Sequence, residues 1–223
     1  MLYEDYSTQS SNTPSEYTTR GLQLDFDFRN GSTGLVDKVN GKSAYVNGTI
    51  PSDSWTSEGL TFDGNANLII TDTTAGVYQP TTEFTLEAYV NMSTAHSSSY
   101  GDIIGRASVY HFSLFEYSGK ASFSVNNEWH CGNQTLTAGT WYHIVGTYDL
   151  TNGVAMFYVN GSAITYQQVS GTFPTTAQDG NLYDFNIGGM ADLGFMFNGK
   201  IAFARYYNVA LTSDEVMSNY KSL

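Results

Sequence analysis

The segment AGTWYHIVGTYDLTNGVAMFYVNG, residues 138–161, carries the clearest structural information in the chain. Side chains alternate between the two faces of a strand, so Trp141 and Val145 share one face and Ile144 lies on the other. The dipeptide Asn160–Gly161 tolerates the positive φ angles that a two-residue hairpin requires. The segment therefore predicts neighbouring antiparallel strands, one face of which packs against a second sheet.

Working outward, the same alternation recurs along the chain. LQLDFDF, residues 22–28, places four apolar side chains on one face and polar ones on the other, and EFTLEAYV, residues 83–90, repeats the pattern. Asn-Gly and Asp-Gly dipeptides separate many of the runs, as in sheets built from short hairpins. Such a pattern indicates an antiparallel sandwich or barrel. Further strands are predicted near residues 67–71, 109–116, 120–125, 182–188 and 198–207.

The two ends of the chain differ from this middle part. LTSDEVMSNYKSL predicts one short C-terminal helix, because Thr212 can cap its start and Glu215 completes a capping box. Residues 1–20 are polar and lack apolar periodicity, which predicts an N-terminal arm. The domain itself is predicted to span residues 21–223.

These pieces, in this order, resemble the laminin-G-like or pentraxin-like branch of the concanavalin A-like lectin/glucanase superfamily. The resemblance is carried by FTLEAYV, DIIGR, AGTWYHIVGTYDL, MFYVNG and FNGKIAFARYYNVALTSDEV, with LDFDFRNGSTG and GLTFDGNANLII upstream. It implies an all-β fold, an antiparallel jelly-roll β-sandwich of the concanavalin A-like type with one C-terminal helix and a polar arm. Such a fold hosts many functions, so function has to be argued from sites.

Composition excludes several partners. The chain has 9 Lys+Arg and 21 Asp+Glu, a formal net charge of −12, and only 13% charged residues against about 25% in typical domains. Binding to nucleic acid or to an anionic membrane surface depends on clustered cations, so neither is expected. No apolar run is long enough for membrane insertion, and the N-terminus shows no signal peptide. Cys131, the single cysteine, is interpreted as a small buried residue rather than a nucleophile.

Catalysis is not expected. Glucanases that share the resembled fold carry closely spaced acids on one strand, and no such run occurs here. Asp25 and Asp27 form the one dense carboxylate pair on a predicted strand, but it lacks that pattern. The four histidines fit no metal-ligand spacing. The chain is therefore predicted not to be an enzyme, with a divergent glycoside-active enzyme as the third alternative.

Calcium is a cofactor that the resemblance implies at the rim of the sandwich. Calcium binds several oxygen ligands, and the candidates at strand ends and turns are Asp27, Asn30, Asp63 and Asn65. Ala202 stands where the resemblance implies a further acid, which removes one ligand. The alternative is ordinary turn chemistry, in which Asp and Asn bind their own backbone.

Glycan binding would use exposed aromatic rings together with polar side chains. The alternatives are cross-strand tyrosine pairs and a protein interface, where tyrosine is also enriched. The candidate glycan-binding residues are Tyr100, Tyr110, Tyr117, Trp129, His130 and Tyr183.

The leading hypothesis is a non-enzymatic surface recognition or structural module on the exterior of a virus or phage particle, with glycan binding as a further ability. The acidic, lysine-poor composition and the single cysteine favour it, and the N-terminal arm would contact protein partners in the assembly. The alternative is a free or cell-surface carbohydrate-binding adhesion module. Either reading predicts a location on a virion or an extracellular surface.

Overall fold

The computed structural model describes residues 16–71, 80, 82–94, 100–106, 112–126, 128–175, 184–190 and 194–223. These residues form two antiparallel sheets that pack face to face, with one helix near the C-terminus. In chain order the strands are β1 Leu22–Asp27, β2 Tyr45–Asn47, β3 Trp55–Thr56, β4 Gly59–Asp63, β5 Asn67–Ile70, β6 Glu83–Met92, β7 Tyr100–Arg106, β8 Ser113–Tyr117, β9 Lys120–Val125, β10 Glu128–Thr135, β11 Trp141–Asp149, β12 Val154–Val159, β13 Ser162–Ile164, β14 Tyr166–Gln168, β15 Phe185–Ile187, β16 Gly189–Met190, β17 Phe195–Met196 and β18 Asn198–Tyr207.

The first sheet has the order β13-β12-β11-β6-β18-β4-β3, and β1 pairs with the end of β18 that β4 leaves free. The second sheet has the order β14-β10-β9-β8-β7-β15-β5-β2. Neighbouring strands are often far apart in sequence, as with β6 between β11 and β18. The chain passes from β6 in the first sheet to β7–β10 in the second and returns to the first with β11, which confirms the jelly-roll sandwich that the sequence predicts.

The core lies between the sheets and is built from the predicted alternation. In β6 the side chains of Phe84, Leu86 and Val90 are fully buried in it. In β11, Ile144 and the residues two positions before and after it point inward, and Ile144 lies in the core. Trp141 therefore lies on the outer face, half-buried, with its ring centroid 4.8 Å from that of Tyr89.

The predicted turn between β12 and β13 is present. Asn160 and Gly161 have φ angles of 50° and 75°, which is the left-handed region that a two-residue hairpin needs. Asn160 Oδ1 also accepts a hydrogen bond from the backbone N–H of His143 at 3.0 Å. The hairpin is therefore tied to the neighbouring strand β11.

The predicted helix is α1, Ser213–Lys221. Its capping box is formed as expected: the Glu215 backbone N–H donates to Thr212 Oγ1 at 3.3 Å, and Thr212 N–H donates to Glu215 Oε2 at 2.8 Å. Val216 is fully buried against the outer face of the first sheet, beside Val145 and Tyr158. Among the described residues, no helix has the length and apolar character needed to cross a membrane.

The part of the predicted arm next to the domain packs on this helix. Thr18 N–H donates to Asn219 Oδ1 at 2.7 Å, and the Arg20 guanidinium donates twice to Glu215, at 2.6 and 2.8 Å. Residues 1–15 of the arm lie outside the described residues. Residues 16–20 thus form, with α1, a cover on the outer face of the first sheet.

Candidate functional site

The outer face of the first sheet carries a buried carboxylate with several donors. Glu87, on β6, is fully buried and accepts hydrogen bonds from His143 Nε2 at 2.6 Å and Tyr207 Oη at 2.7 Å. Asn219 of α1 donates to both carboxylate oxygens, at 3.0 and 3.1 Å. Burial by itself would raise the pKa of Glu87, but the His143 hydrogen bond and the charge of Arg205 lower that pKa to about 2. Glu87 is therefore a satisfied structural anion.

Arg205 connects this carboxylate to Asp25. Its Nε donates to Asp25 Oδ1 at 3.0 Å, and its Nη1 lies 3.5 Å from Glu87 Oε2. The guanidinium carbon lies 3.7 Å from the ring centroid of Tyr17 and 4.1 Å from that of Phe203. Tyr17 Oη also donates to Asp25 Oδ2 at 2.8 Å. Arg205 is thus enclosed by two anions and two rings, with Tyr17 as the lid.

The Asp25–Asp27 pair is therefore not arranged for acid–base chemistry. Asp27 accepts hydrogen bonds from Arg29 Nε at 2.9 Å and Lys38 Nζ at 2.8 Å. Burial would raise the pKa of Asp27, but the hydrogen bonds from Arg29 and Lys38 hold it well below its ordinary value. Both carboxylates are committed to cations of the same chain, Asp25 to Arg205 and Asp27 to Arg29 and Lys38.

The four calcium candidates do not share a site. Asp27 lies opposite Phe203 of β18, whereas Asp63 lies opposite Asn198, five residues or about 16 Å along the same strand. Asp63 is exposed, and hydrogen bonds from the Asn65 side chain and from the Asn65 backbone N–H, the latter at 2.9 Å to Oδ1, lower its pKa. The remaining candidate, Asn30, lies in the 3-10 segment that follows β1. Within the described ranges, no three His, Cys, Asp or Glu side chains are grouped to hold a metal ion.

The outer face of the second sheet carries a different feature, an aromatic cluster. Three of the predicted glycan-binding residues meet there with two phenylalanines that the sequence did not single out. We call this cluster the aromatic platform; its members are Tyr100, Phe115, Tyr117, Trp129 and Phe195. Four of the rings are half-buried, and Phe115 is buried beneath them with 5% of its surface exposed.

The platform is held by strand register. Tyr100 lies directly opposite Tyr117 across β7 and β8, with ring centroids 5.0 Å apart. Trp129 reaches both from β10, with its ring centroid 5.5 Å from Tyr100 and 5.0 Å from Tyr117. Phe195 of β17 closes the other side, 4.7 Å from Tyr100. Five rings from four strands thus form one continuous surface on a rigid support.

One carboxyl group lies beside this platform. Asp102 is opposite Phe115 across β7 and β8, two residues after Tyr100, and only 3% of its surface is exposed. Ser113 Oγ donates to its Oδ2 at 2.6 Å, while its Oδ1 has no hydrogen-bond partner. Burial raises the pKa of Asp102 to about 7, and the Ser113 hydrogen bond opposes this only in part.

His130 does not join the platform. Successive residues of a strand point to opposite faces, so Trp129 points outward and His130 points inward. His130 has 5% of its surface exposed, and its ring centroid lies 5.1 Å from that of Tyr166 and 4.0 Å from that of Phe173. Burial lowers its pKa, so the ring is neutral near pH 7. The remaining two candidates, Tyr110 and Tyr183, lie outside the described residues.

Cys131 follows the same alternation and returns to the outer face. Its Sγ lies 3.0 Å from Ser122 Oγ, and 5% of its surface is exposed. Burial raises its pKa, which disfavours the reactive thiolate. Cys131 is thus a small buried residue beside the platform, as the sequence predicts.

The fold defines a lectin-like β-sandwich domain. A family model described as the concanavalin A-like lectin/glucanases superfamily, of the laminin-G type, matches residues 62–217. The chain belongs to this family. No curated protein matches the sequence closely enough to count as a relative.

Solved structures agree on the fold. Domain 4 of AbnA, an extracellular GH43 arabinanase from Geobacillus stearothermophilus determined with arabinotriose, is 19% identical with a TM-score of 0.66, over 89% of this chain and 98% of that domain. The binding domain of botulinum neurotoxin DC, in complex with SialylT, is 16% identical with a TM-score of 0.65. That match covers 91% of this chain and 51% of the toxin domain, so the chain spans about half of it.

Proposed function

We propose that this chain is a non-enzymatic carbohydrate-binding module whose site is the aromatic platform. The observation that carries the proposal is the convergence of Tyr100, Tyr117 and Trp129, from three different strands, into one half-exposed cluster. Large amphipathic rings with few rotatable bonds bind apolar surfaces at a low cost in conformational entropy. The apolar faces of sugar rings are such surfaces.

Polar side chains beside the platform supply the second requirement, hydrogen bonds to hydroxyl groups. Lys120 lies opposite Tyr117, and Ser124 lies opposite Trp129. Gln167 is exposed on the edge strand β14, opposite Cys131. Rings on strands flanked by such groups resemble the general plan of a ligand site, in which apolar surface gives affinity and a few polar groups give orientation.

The absence of catalysis is part of the proposal. Glycosidases use two carboxyl groups that flank the scissile bond. Asp102 is the one carboxyl group that the described parts of β7–β10 direct to the platform side, since Glu116 alternates toward the core. Glu87 and Asp25 lie on the other sheet, beneath the cover formed by residues 16–20 and α1.

The wider setting of the module is a second hypothesis, display on the exterior of a virus or phage particle. It is favoured by the anchoring of residues 16–20 on the outer face of the first sheet, which is the side of the sandwich opposite the platform. A chain held through residues 1–15 would present its platform outward. Recovery of the full chain with and without residues 1–15 from purified particles tests this: loss of incorporation supports the hypothesis, and unchanged incorporation contradicts it.

The glycan proposal is tested with an oligosaccharide array, with and without added calcium, followed by titration calorimetry on the best ligand. Tyr117→Ala removes one ring of the platform, and we expect the dissociation constant to rise by about thirtyfold, as for other central aromatic contacts. The matched control is Tyr45→Ala, which removes an exposed tyrosine from β2 of the same sheet. A blank array in both conditions, or equal losses in the two variants, would contradict the proposal.

A further inference from the structure

Beside the platform lies a buried polar atom that has no hydrogen-bond partner among the described residues. Asp102 Oδ1 has no partner in the structure, although the side chain is 3% exposed and its other oxygen accepts a hydrogen bond from Ser113. Unpaired buried polar atoms are rare in folded proteins because they lose their hydrogen bonds to water without replacement. Asp102 lies directly opposite Phe115 on β8 and two residues from Tyr100 on β7. It therefore lies on the outer face of the second sheet, which carries the platform.

No charged side chain of the surrounding strands balances Asp102. Tyr100 on its own strand, Tyr117 on β8, Lys120 on β9 and Cys131 on β10 are the titratable groups on the same face in the described region. Strand register places Lys120 beyond Tyr117, away from Asp102. Phe195 and Met196, on β17, lie on the remaining side and carry no charge. Asp102 is therefore an isolated acid in apolar surroundings.

The charged residues of the neighbouring strands point elsewhere. Glu116 pairs with Ala121 and alternates to the core side of β8, and Arg106 pairs with Phe185 at the far end of β7. Neither pairing places a charge beside Asp102.

We propose that Asp102 determines the specificity of the platform: its free Oδ1 accepts a hydrogen bond from a hydroxyl group of an uncharged sugar whose ring stacks on the aromatic residues. This inference rests on the proposed function and deepens it. A hydroxyl can donate its proton to Oδ1 of the ionised Asp102, whereas a carboxylate or sulfate group has no proton to donate and is repelled by that charge. The site therefore selects neutral sugars over sialylated, uronic or sulfated ones.

Access to Oδ1 requires a small rearrangement. The atom is closed to solvent in the free protein, so a half-buried neighbour such as Tyr100 or Phe195 shifts when the hydroxyl enters. The half-buried rings, unlike Phe115 beneath them, border solvent.

Ligand binding is then linked to a proton. In the free protein, burial raises the pKa of Asp102 to about 7. A hydroxyl that donates to the carboxyl group favours its charged form and lowers that pKa. Binding therefore releases a proton near neutral pH, and the affinity rises as the pH increases from 6 to 8.

The experiment uses the full chain and two variants of Asp102, with a panel of neutral oligosaccharides that includes arabinotriose and a matched panel that carries sialic or uronic acids. Asp102→Ala removes the acceptor, and we expect affinity for the neutral ligand to fall about tenfold. Asp102→Asn keeps an acceptor oxygen, so affinity should stay within about threefold of the wild type while its pH dependence between 6 and 8 disappears. The control is Asp53→Asn, which removes one exposed charge from a distant turn.

The outcomes separate the two proposals. If Asp102→Ala and Asp102→Asn bind as the wild type does at every pH while Tyr117→Ala does not, the role of Asp102 is wrong and the platform remains the site. Preference of the wild type for the acidic panel also overturns the inference. If the wild type binds neither panel, the proposed function itself fails. Thermal unfolding of each variant at the titration pH excludes loss of folding as the cause.

Discussion

Each outer face of the sandwich buries a carboxyl group on a strand near the middle of its sheet, Glu87 on the first and Asp102 on the second, yet the surroundings of these two groups are opposite. Glu87, on the first sheet, has donors from three elements and lies beneath α1. Asp102, on the second, has one donor and lies beside half-exposed rings. Burial raises both pKa values, but the partners of Glu87 reverse the shift, so the pKa is about 2 for Glu87 and about 7 for Asp102.

This difference teaches which face serves folding and which serves binding. Both oxygens of Glu87 have hydrogen-bond donors from the protein, so this carboxylate is not available to a ligand. The helix α1 and Tyr17 cover Glu87 and Arg205 from solvent. A buried acid with one unpaired oxygen lowers the stability of the free protein and is retained where a ligand can supply the missing bond. Three predictions test the contrast.

The largest effect is expected from Arg205→Met, which removes the cation of the covered face while keeping most of the side-chain volume. Glu87 and Asp25 would then be buried without their shared charge partner, and the free energy of unfolding should fall by about 3–5 kcal/mol. Urea unfolding at pH 7 measures this change. The matched control is Lys200→Met, which breaks the exposed ion pair with Glu58 and should cost less than about 1 kcal/mol. Similar losses in both variants would show that the covered network has no special weight.

The next effect is a reversal of pH dependence between the two acids. The folded pKa of Asp102, about 7, lies above its ordinary value of 3.8. The contribution of this group to the free energy of unfolding is therefore fully present below about pH 4 and is lost as the pH rises through 7. Asp102→Asn removes this loss: the variant should match the wild type near pH 4 and exceed its stability at pH 8 by up to about 4 kcal/mol.

Glu87→Gln should show the opposite profile. The folded pKa of Glu87, about 2, lies below its ordinary 4.5, so its contribution is present above pH 4.5 and is lost as the pH falls toward 2. The variant should be less stable than the wild type at pH 7, and the difference should shrink on acidification. Unfolding curves at several pH values measure both variants. Parallel profiles would contradict the contrast between the faces.

Local patterns in the sequence predicted most of the scaffold, because they depend on near neighbours. The alternation of β6 and β11 and the Thr212–Glu215 capping box are short-range features, and all are present in the structure. The sequence left open which side of β11 is inside. That choice depends on α1, more than 60 residues away, which covers the side of Val145.

The site was predicted only in part, because local patterns show residue types but not how distant strands are aligned. Tyr100, Tyr117 and Trp129 are visible as aromatic residues near strand ends, but strand register decides that His130 points away from them. Phe195 joins through a parallel contact between β17 and β7, which no local pattern indicates. That Asp102 has no charged partner in the described region depends on where the charged side chains of the neighbouring strands are placed by strand register, so it required the folded structure.

The smallest effect concerns the lid of the covered face. Tyr17→Phe keeps the ring over Arg205 but removes the hydrogen bond to Asp25 Oδ2, and the free energy of unfolding should fall by about 1 kcal/mol. Burial and that hydrogen bond raise the pKa of Tyr17 to about 12, so the hydroxyl stays protonated and donates at every pH used for unfolding. The control is Tyr45→Phe on the second sheet, where the exposed hydroxyl should contribute nothing measurable. Equal stabilities of wild type and Tyr17→Phe would mean that residues 16–20 lie on the sheet without sealing its charges, and the distinction between a covered and an open face would then depend on α1 alone.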